Sequence, residues 1–577
     1  MDVGEAGRLP AALSRDGRRW STVLAERSVL GVVHNITSAT RLLDLLSAFE
    51  SDQRVQVFFT STGSSALDEG TREFLASQGM LYVPWEDALS QDFDVAISTS
   101  RGGDLHRIPF PLICTPHGAG YNKTLAGSRE QGAFGLTREW LVHDGKLIPS
   151  AIVLSHQEQL ERLAEGCPEA LPVAHVAGDP CLDQLKAGLA FRPAYRRALG
   201  LLPGQRLVVV SSTWGQGSVL GSPQTDVLRR TLAELPADEF RVLAAVHPNA
   251  WYGHGAWQMH SWLAPLIDAG LMLPRPETEV WKAALCAADF LVGDHGSLTT
   301  YGVALGIPCV LGAFRDLVVA PGSPMERLGE VLPRLATAQP LPAQLARAAQ
   351  AQRGDPELIA LRHRVTSEPG RSAALLRRLF YSWLCLPEPS RPAATRPIPV
   401  PSVSPVHERR LPHLPAMLVT TTSYDSGLAP GVRVQRFPAA LQRRWNTPVT
   451  GAHLVADPDD PDLRWPRSAD VLVLPHERYP QPEAVKWSDV AARFPGCGLI
   501  AVEEADQGCT VLFADDTRLR AHWVDRTAWV SCPLAASAVH AWAQMSPGRR
   551  HLRGTVRIEV RASDQLPPAL LELAPVP

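Results

Sequence analysis

Apolar positions along the first third of the chain fall into two alternating patterns. Short continuous runs of strand length are followed by stretches in which apolar residues recur every three or four positions. SVLGVVHN (28–35), VQVFFTST (55–62), MLYVP (80–84), FDVAIST (93–99), FPLICTP (110–116), SAIVLSH (150–156) and VAHVAG (173–178) read as buried strands. TRLLDLLSAFE (40–50) and DEGTREFLASQG (68–79), the latter stopped by Gly79, read as amphipathic helices. Strand and helix in alternation imply a parallel sheet covered on both faces.

The pattern then repeats. QRLVVVSST (205–213) and FRVLAAVHPN (240–249) predict strands. EVWKAALCAADFLVGD (279–294) predicts a helix feeding a strand. GSLTTYGVALG (296–306) predicts a helix, IPCVLGAF (307–314) a strand, and SAALLRRLFYSWL (372–384) a closing amphipathic helix. The expected organisation is an extension over 1–27, a Rossmann-like unit over 28–185 and a second over 186–385. A Pro-rich extended linker over 386–415 and a smaller α/β or α+β module over 416–577 follow. Proline in the linker rules out helix and central strand. Strands are expected in the last module at AMLVTTT (416–422), ADVLVLP (469–475), GLIAVEE (498–504), CTVLFAD (509–515), AHWVDRTAWVSC (521–532) and TVRIEVR (555–561). No chemistry is assigned to it.

Composition changes this picture little. The 577 residues are 45% hydrophobic and 20% charged, with a net charge of −3, so no global basic field draws the chain to nucleic acid. The cations are nearly all Arg; the five Lys stand at 123, 146, 186, 282 and 486. Nine Cys are scattered without CxxC or zinc-finger spacing, which points to a reducing cytosol and to no metal. No apolar run is long enough to span a bilayer, and the first residues lack the apolar stretch of a signal peptide. The expected place is the cytoplasm, free or at the inner face of the membrane; the oligomeric state is left open.

Candidate chemistry sits at strand ends. In ICTPHGAGYNK (113–123), a buried strand delivers His117 into a loop carrying Gly118 and Gly120, where backbone can approach a ligand. A neutral imidazole there can take a proton from a hydroxyl; the local alternative is a bare turn. VSSTWGQGS ends a strand at Thr213 and Trp214 and then offers Gly215. AVHPN ends one at His247 and Asn249. VGDHGSLTTYG ends one at Asp294, with Gly296, Ser297 and Thr299 opening a helix whose free N–H groups suit a phosphate. Asp294 and Ser297 as plain N-caps are the alternative. Trp214, Trp251 and Trp257 are core residues or a stacking platform. HGAWQMHSW (254–262) lacks metal-pair spacing and reads as exposed His and Trp, and ADPDDPD (456–462) lacks the Gly and distal Glu of a calcium loop and reads as a solvated turn.

These segments, in this order, resemble the GT-B-fold transferases of the CDP-glycerol glycerophosphotransferase family, the teichoic-acid primases and polymerases, over about residues 28–385. The HG loop, AGDPCLDQL (177–185), SSTW (211–214), VHPN and GDHGSLTTYGVALGIP carry the likeness. Lys123 stands one place later than the family's Lys. The resemblance implies His117 as general base on an acceptor hydroxyl. It implies His247 as a cation on the donor's phosphates, and Asp294 to Thr299 as a diphosphate cradle. The donor would be a nucleotide-linked small molecule acting as substrate, with no separate cofactor. ALGIP and AGD are also similar to segments of the non-hydrolysing UDP-N-acetylglucosamine 2-epimerases. A nucleotide-sugar epimerase and a non-catalytic nucleotide-binding scaffold are the alternative readings.

Overall fold

The structure is a computed structural model that describes residues 13, 21–63, 70–124, 132–222, 226–401, 411–427, 429–442, 452–525, 527–545, 552 and 554–576. Most of the expected N-terminal extension, and the linker stretch 402–410, lie outside the described residues.

The first unit is an all-parallel sheet of β1 (Arg27–Val33), β2 (Val55–Ser61), β3 (Val95–Ser98), β4 (Leu112–Cys114), β5 (Ala151–Leu154) and β6 (Ala174–Val176) in the order β2-β1-β3-β4-β5-β6. The expected strand MLYVP contributes only one bridge, Tyr82 to Phe59. Val29 to Val33 are all buried, as strands covered on both faces require. Helix α1 (Ile36–Leu46) starts where Asn35 accepts from the Ser38 amide at 3.0 Å and its own amide donates to Ser38 Oγ at 2.9 Å.

In the second unit β7 (Arg206–Ser212), β8 (Phe240–Val246), β9 (Leu271–Met272), β10 (Phe290–Gly293) and β11 (Cys309–Leu311) take the order β9-β8-β7-β10-β11, again all parallel. Strand order reverses between β7 and β10, and ligands bind beyond the carboxyl ends of such strands. Two Rossmann-like units in tandem, as expected, form the α/β body, the second covered in part by helices α3 (Val227–Glu234) and α5 (Ala256–Asp268).

One expected boundary moves. The sequence pattern places helix α8 (Ser372–Trp383) in the second unit, yet its Leu376, Phe380 and Tyr381 pack among Val29, Val33 and Phe49 of the first. Tyr381 donates to Asp52 at 2.6 Å. The chain therefore passes from the first unit to the second through helix α2 (Pro180–Gly188) and returns before α8. Asp183 on α2 fastens the two passages together, accepting from the Gly370 amide at 2.7 Å and the Ser372 amide at 3.1 Å. The described part of the linker is extended and held: Tyr195 donates to the Ile398 carbonyl at 2.6 Å, and Arg377 to that of Arg391 at 2.9 Å.

A buried ion network also joins the units. Arg41 and Asp44 on α1 meet Glu279 and Lys282 at the start of helix α6 (Val280–Ala287). Arg41 reaches Asp44 at 2.7 Å and also pairs with Glu279, while Lys282 lies 2.8 Å from Asp44 and 3.0 Å from Glu279.

The last module is α+β, and its sheet closes into a barrel. Its strands are β12 (Met417–Asp425), β13 (Pro430–Pro438), β14 (Ala452–Ala456), β15 (Val471–Leu474), β16 (Leu499–Glu503), β17 (Cys509–Phe513), β18 (Arg518–Trp523), β19 (Val556–Arg561) and β20 (Ala569–Pro575), ordered β12-β13-β19-β20-β18-β17-β16-β15-β14. The predicted strand over 521–532 ends at Trp523, and its last residue opens helix α9 (Cys532–Met545). Side chains of β14 to β16 alternate: Val455, Val471, Val473 and Leu499 pack on α9, whereas Leu454, Leu472 and Ile500 face the other way with Trp465 and Phe494. The five alanines of α9 make it thin enough to share that core. Asp238 of the second unit receives a bidentate pair from Arg436 at 2.9 and 2.5 Å, docking the barrel. The acidic run at 456–462, expected to be a solvated turn, is partly interior. Asp457 is buried and pairs with Arg478, and Asp460 is buried 3.7 Å from His413.

Candidate functional site

The carboxyl ends of the two sheets face each other across a cleft of about 780 Å³. From the first unit it is lined by His34 after β1, by Thr99 to Gly102 after β3 and by the loop Thr115 to Lys123 after β4. From the second come Ser211 to Gly215 at the end of β7, Ala245 to Ala250 at the end of β8 and His295 to Leu298 after β10. Among the described residues no Asp or Glu lines it, although the whole chain is net acidic.

Of the residues singled out from sequence, His117, Gly118, Thr213, Trp214, Gly215, His247, Asn249, Gly296 and Ser297 all line this one cleft. Gly118 and Ser297 touch across it, since a Cβ on Gly118 would overlap Ser297 Oγ. Gly215 has φ 85°, a left-handed turn that favours glycine.

The two imidazoles are held in complementary tautomers. His117 opens onto the cleft and sets Nδ1 3.2 Å from the Thr99 carbonyl. A nitrogen facing a carbonyl carries the proton, so Nε2 is left with a free lone pair. His247 is the N-cap of helix α4 (Pro248–His254), and its Nδ1 accepts the Asn249 amide at 3.0 Å. Its proton is therefore on Nε2, a donor. Surrounding protein lowers the pKa of His117 from 6.5 to about 4, helped by the charge of Lys123 and then by His34 and Arg101. Burial, followed by Lys123 and His117, holds His247 well below its ordinary value. The expectation of a cationic His247 is corrected: the ring is neutral and presents an N–H.

Two further expectations are corrected. Asp294 is buried and does not line the cleft. Its carboxylate accepts from the amides of Thr213 at 2.8 Å, Val219 at 3.2 Å and Gly296 at 2.9 Å, so it ties the Gly-rich loop after β7 to the end of β10. Burial raises its pKa from 3.8 to about 6 against those three bonds. Thr299 is buried too, its hydroxyl turned toward the backbone of Gly293, where a Cβ would overlap it. The cleft-facing end of helix α7 (Ser297–Ala304) is thus Gly296 and Ser297. Trp251 is a core residue, Trp257 is exposed at 78%, and Trp214, half-exposed, is the one of the three that faces the cleft.

Sequence reasoning did not single out the cleft's other cations as site residues. Lys123 reaches across to Thr213 Oγ1 at 3.2 Å and stands 5.9 Å over the Trp214 ring. Its loop pairs with the second unit through Asn122 O and the Ala320 amide at 2.9 Å, and through the Thr124 amide and Val318 O at 3.0 Å. Among the described residues no carboxylate lies within ion-pair distance of Lys123. Arg101 is buried, donates to Tyr121 at 2.7 Å and leaves Nε and Nη1 without partners among the described residues. The buried Nδ1 of His295 also lacks one. No group of three or more His, Cys, Asp or Glu among the described residues is arranged to hold a metal ion, and none of the described helices is long and apolar enough to cross a membrane.

No protein-family model and no curated protein matches the chain. Among solved structures, the wall teichoic acid polymerase TagF is similar at 11% identity and TM-score 0.43, over 62% of this chain and 89% of that one. The Anabaena protein HepE, solved with UDP and glucose, is similar at 10% identity and TM-score 0.34, over 62% of this chain and all of that one. MnaA of S. aureus, solved with UDP, is similar at 12% identity and TM-score 0.38, over 63% and 99%. Likenesses this distant carry no argument about chemistry. The class rests on the molecule itself: two Rossmann-like units facing one cleft, the GT-B arrangement, with an appended barrel.

Proposed function

We propose that the protein is a transferase that moves a polyol-phosphate or glycosyl group from a nucleotide-activated donor, CDP-glycerol-like, to an acceptor hydroxyl. The observation that carries this reading is the pair of complementary imidazoles, His117 with a free Nε2 and His247 with an Nε2–H, on opposite walls of one cleft.

In the polyol-phosphate case, His117 Nε2 takes the proton of the acceptor hydroxyl while that oxygen forms its bond to the donor's distal phosphorus. The bond from that phosphorus to the bridging oxygen breaks, and its electron pair leaves on the nucleoside monophosphate. His247 Nε2–H and the helix end at Gly296 and Ser297 donate to the phosphate oxygens, where charge accumulates. Lys123, reaching across to Thr213 of the second unit, and Arg101 of the first add positive potential. Such catalysis is positioning plus electrostatics and asks for no cofactor. The test is thermal melting of the full chain with CDP, CDP-glycerol, UDP and UDP-sugars at millimolar concentration. A ligand at about 100 times its Kd stabilises by about 2.7 kcal/mol, and no shift with any of them removes the reading.

A further inference from the structure

Two loops of the first unit grip each other at both ends. One, after β3, runs from Thr99 to Gly102; the other, after β4, carries His117 and, four residues on, Tyr121. At one end the Thr99 carbonyl lies 3.2 Å from His117 Nδ1. At the other, Arg101 Nη2 donates to the Tyr121 hydroxyl at 2.7 Å, with the guanidinium carbon 5.7 Å from the centre of that ring. Tyr121 is buried and held on two further sides. Its hydroxyl donates to the Val153 carbonyl of β5 at 3.1 Å, and its own carbonyl accepts from Arg162 at 2.5 Å. Between the two grips stand Gly118, Ala119 and Gly120, the last at φ 72°. A stretch with two glycines has many backbone conformations open to it, so the place of His117 depends on where the loop is fixed beyond them. Arg101 is buried as well, and its Nε and Nη1 lack partners among the described residues. A buried cation with so few hydrogen bonds is a poor source of stability; what it does in this fold is hold Tyr121.

We propose that Arg101 is a positioning residue for His117: by holding Tyr121 it keeps the Nδ1 edge of the imidazole on the Thr99 carbonyl and leaves Nε2 free toward the cleft. The inference rests on the reading of His117 as the general base and names the side chain that sets its orientation. Arg101 acts through Tyr121, and the chain of contacts is short. Arg101 and Thr99 stand two residues apart on one loop, Tyr121 and His117 four apart on the other. With the far grip released, the second loop can turn about Gly118 and Gly120. The ring then leaves the carbonyl, and either nitrogen can carry the proton. A ring with its proton on Nε2 cannot accept another there, and a base displaced by about 1 Å can lose about 10² in rate.

The test is long-range proton–nitrogen NMR of the histidine rings in the full chain at about pH 8, where imidazoles are neutral and the ring nitrogens report the tautomer. His117 is assigned by its loss in His117→Gln. The wild type should show the Nδ1–H form alone. Tyr121→Phe removes only the hydroxyl that Arg101 holds, and Arg101→Met removes the guanidinium; in each, the single form should give way to a mixture with Nε2–H. Arg101→Lys, which can still donate to Tyr121, should keep more of the Nδ1–H form than Arg101→Met. Lys282→Met, destabilised in the ion network instead, should keep all of it. A cooperative melt shows that each variant folds, and if Arg101→Met does not melt cooperatively, Tyr121→Phe decides. A lone Nδ1–H form in the folded variants of this pair overturns the proposal, as does a wild type already mixed. The same mixture in Lys282→Met overturns it too, since lost stability rather than the lost grip would then move the ring. The two readings fail separately: near-normal turnover of His117→Gln removes the base, whereas the tautomers alone decide the grip.

Discussion

Gly118 of the first unit and Ser297 of the second meet so closely across the cleft that a side-chain carbon on the glycine would overlap the serine hydroxyl. Gly118→Ala must therefore rotate that hydroxyl away or separate the two walls. The expected outcome is weaker donor binding with little change in melting temperature. Adding Ser297→Ala removes the overlapping atom. The double variant should bind better than the sum of the single effects predicts, and a double-mutant cycle of CDP affinities measures this coupling.

His117→Gln keeps a polar side chain but cannot accept a proton in the same way. Once a donor and acceptor are identified, turnover should fall by about 10²–10⁴, with donor affinity changed no more than a few-fold. Near-normal turnover would remove His117 as the base.

Asp294 makes a pH-dependent contribution whose sign is unusual for an acidic side chain. Its folded pKa is raised, so between pH 4 and 6 the folded state holds a proton that the unfolded state has released, and stability falls as pH rises through that window. A rise from 3.8 to about 6 corresponds to about 3 kcal/mol. Asp294→Asn lacks this titration and should gain on the wild type by up to that amount between pH 4 and pH 7. Urea unfolding at the two pH values checks this; a difference that stays constant or moves the opposite way contradicts it.

Lys282 neutralises two acids in a setting where it is itself nearly inaccessible, its side chain 4% exposed. Lys282→Met leaves Asp44 and Glu279 to share Arg41, and removing one partner of a buried pair costs about 3–5 kcal/mol. The surface pair Arg107 with Glu86, at 39% and 70% exposed, is the control: Arg107→Met should leave the urea midpoint unmoved.

The tandem units were legible because parallel sheets covered on both faces print short, nearly all-apolar runs, such as Val29 to Val33, between helical-period segments. The strand-end motifs were legible for the same reason, since a run that stops at Pro116-His117-Gly118 or Val246-His247-Pro248 marks where a sheet delivers side chains. What those side chains do was less so. Asp294 and Thr299 stand in the same short segment as Ser297, but the pitch of α7 and the amides of the neighbouring loop turn them away from the cleft. The tautomer of His247 depends on one backbone amide, which no spacing rule reveals. Lys123 had a signal of its own: in a chain of Arg, two of the few lysines, Lys123 and Lys282, lie in the junction between the units. The barrel was obscured because strands such as Pro430–Pro438 close it through long-range pairing, and because α9, rich in Ala, has a weak period.

The stapling of the two chain passages at Asp183 bears on how the two units are held together. Two bodies connected by one strand can tumble, and two bodies connected by separate strands can shear. Here both strands leave from the same point and are hydrogen-bonded to each other, like the spine of a book. With the ion network of Arg41, Asp44, Glu279 and Lys282, that fastening sets the lip bearing His117 opposite the lip bearing Ser297.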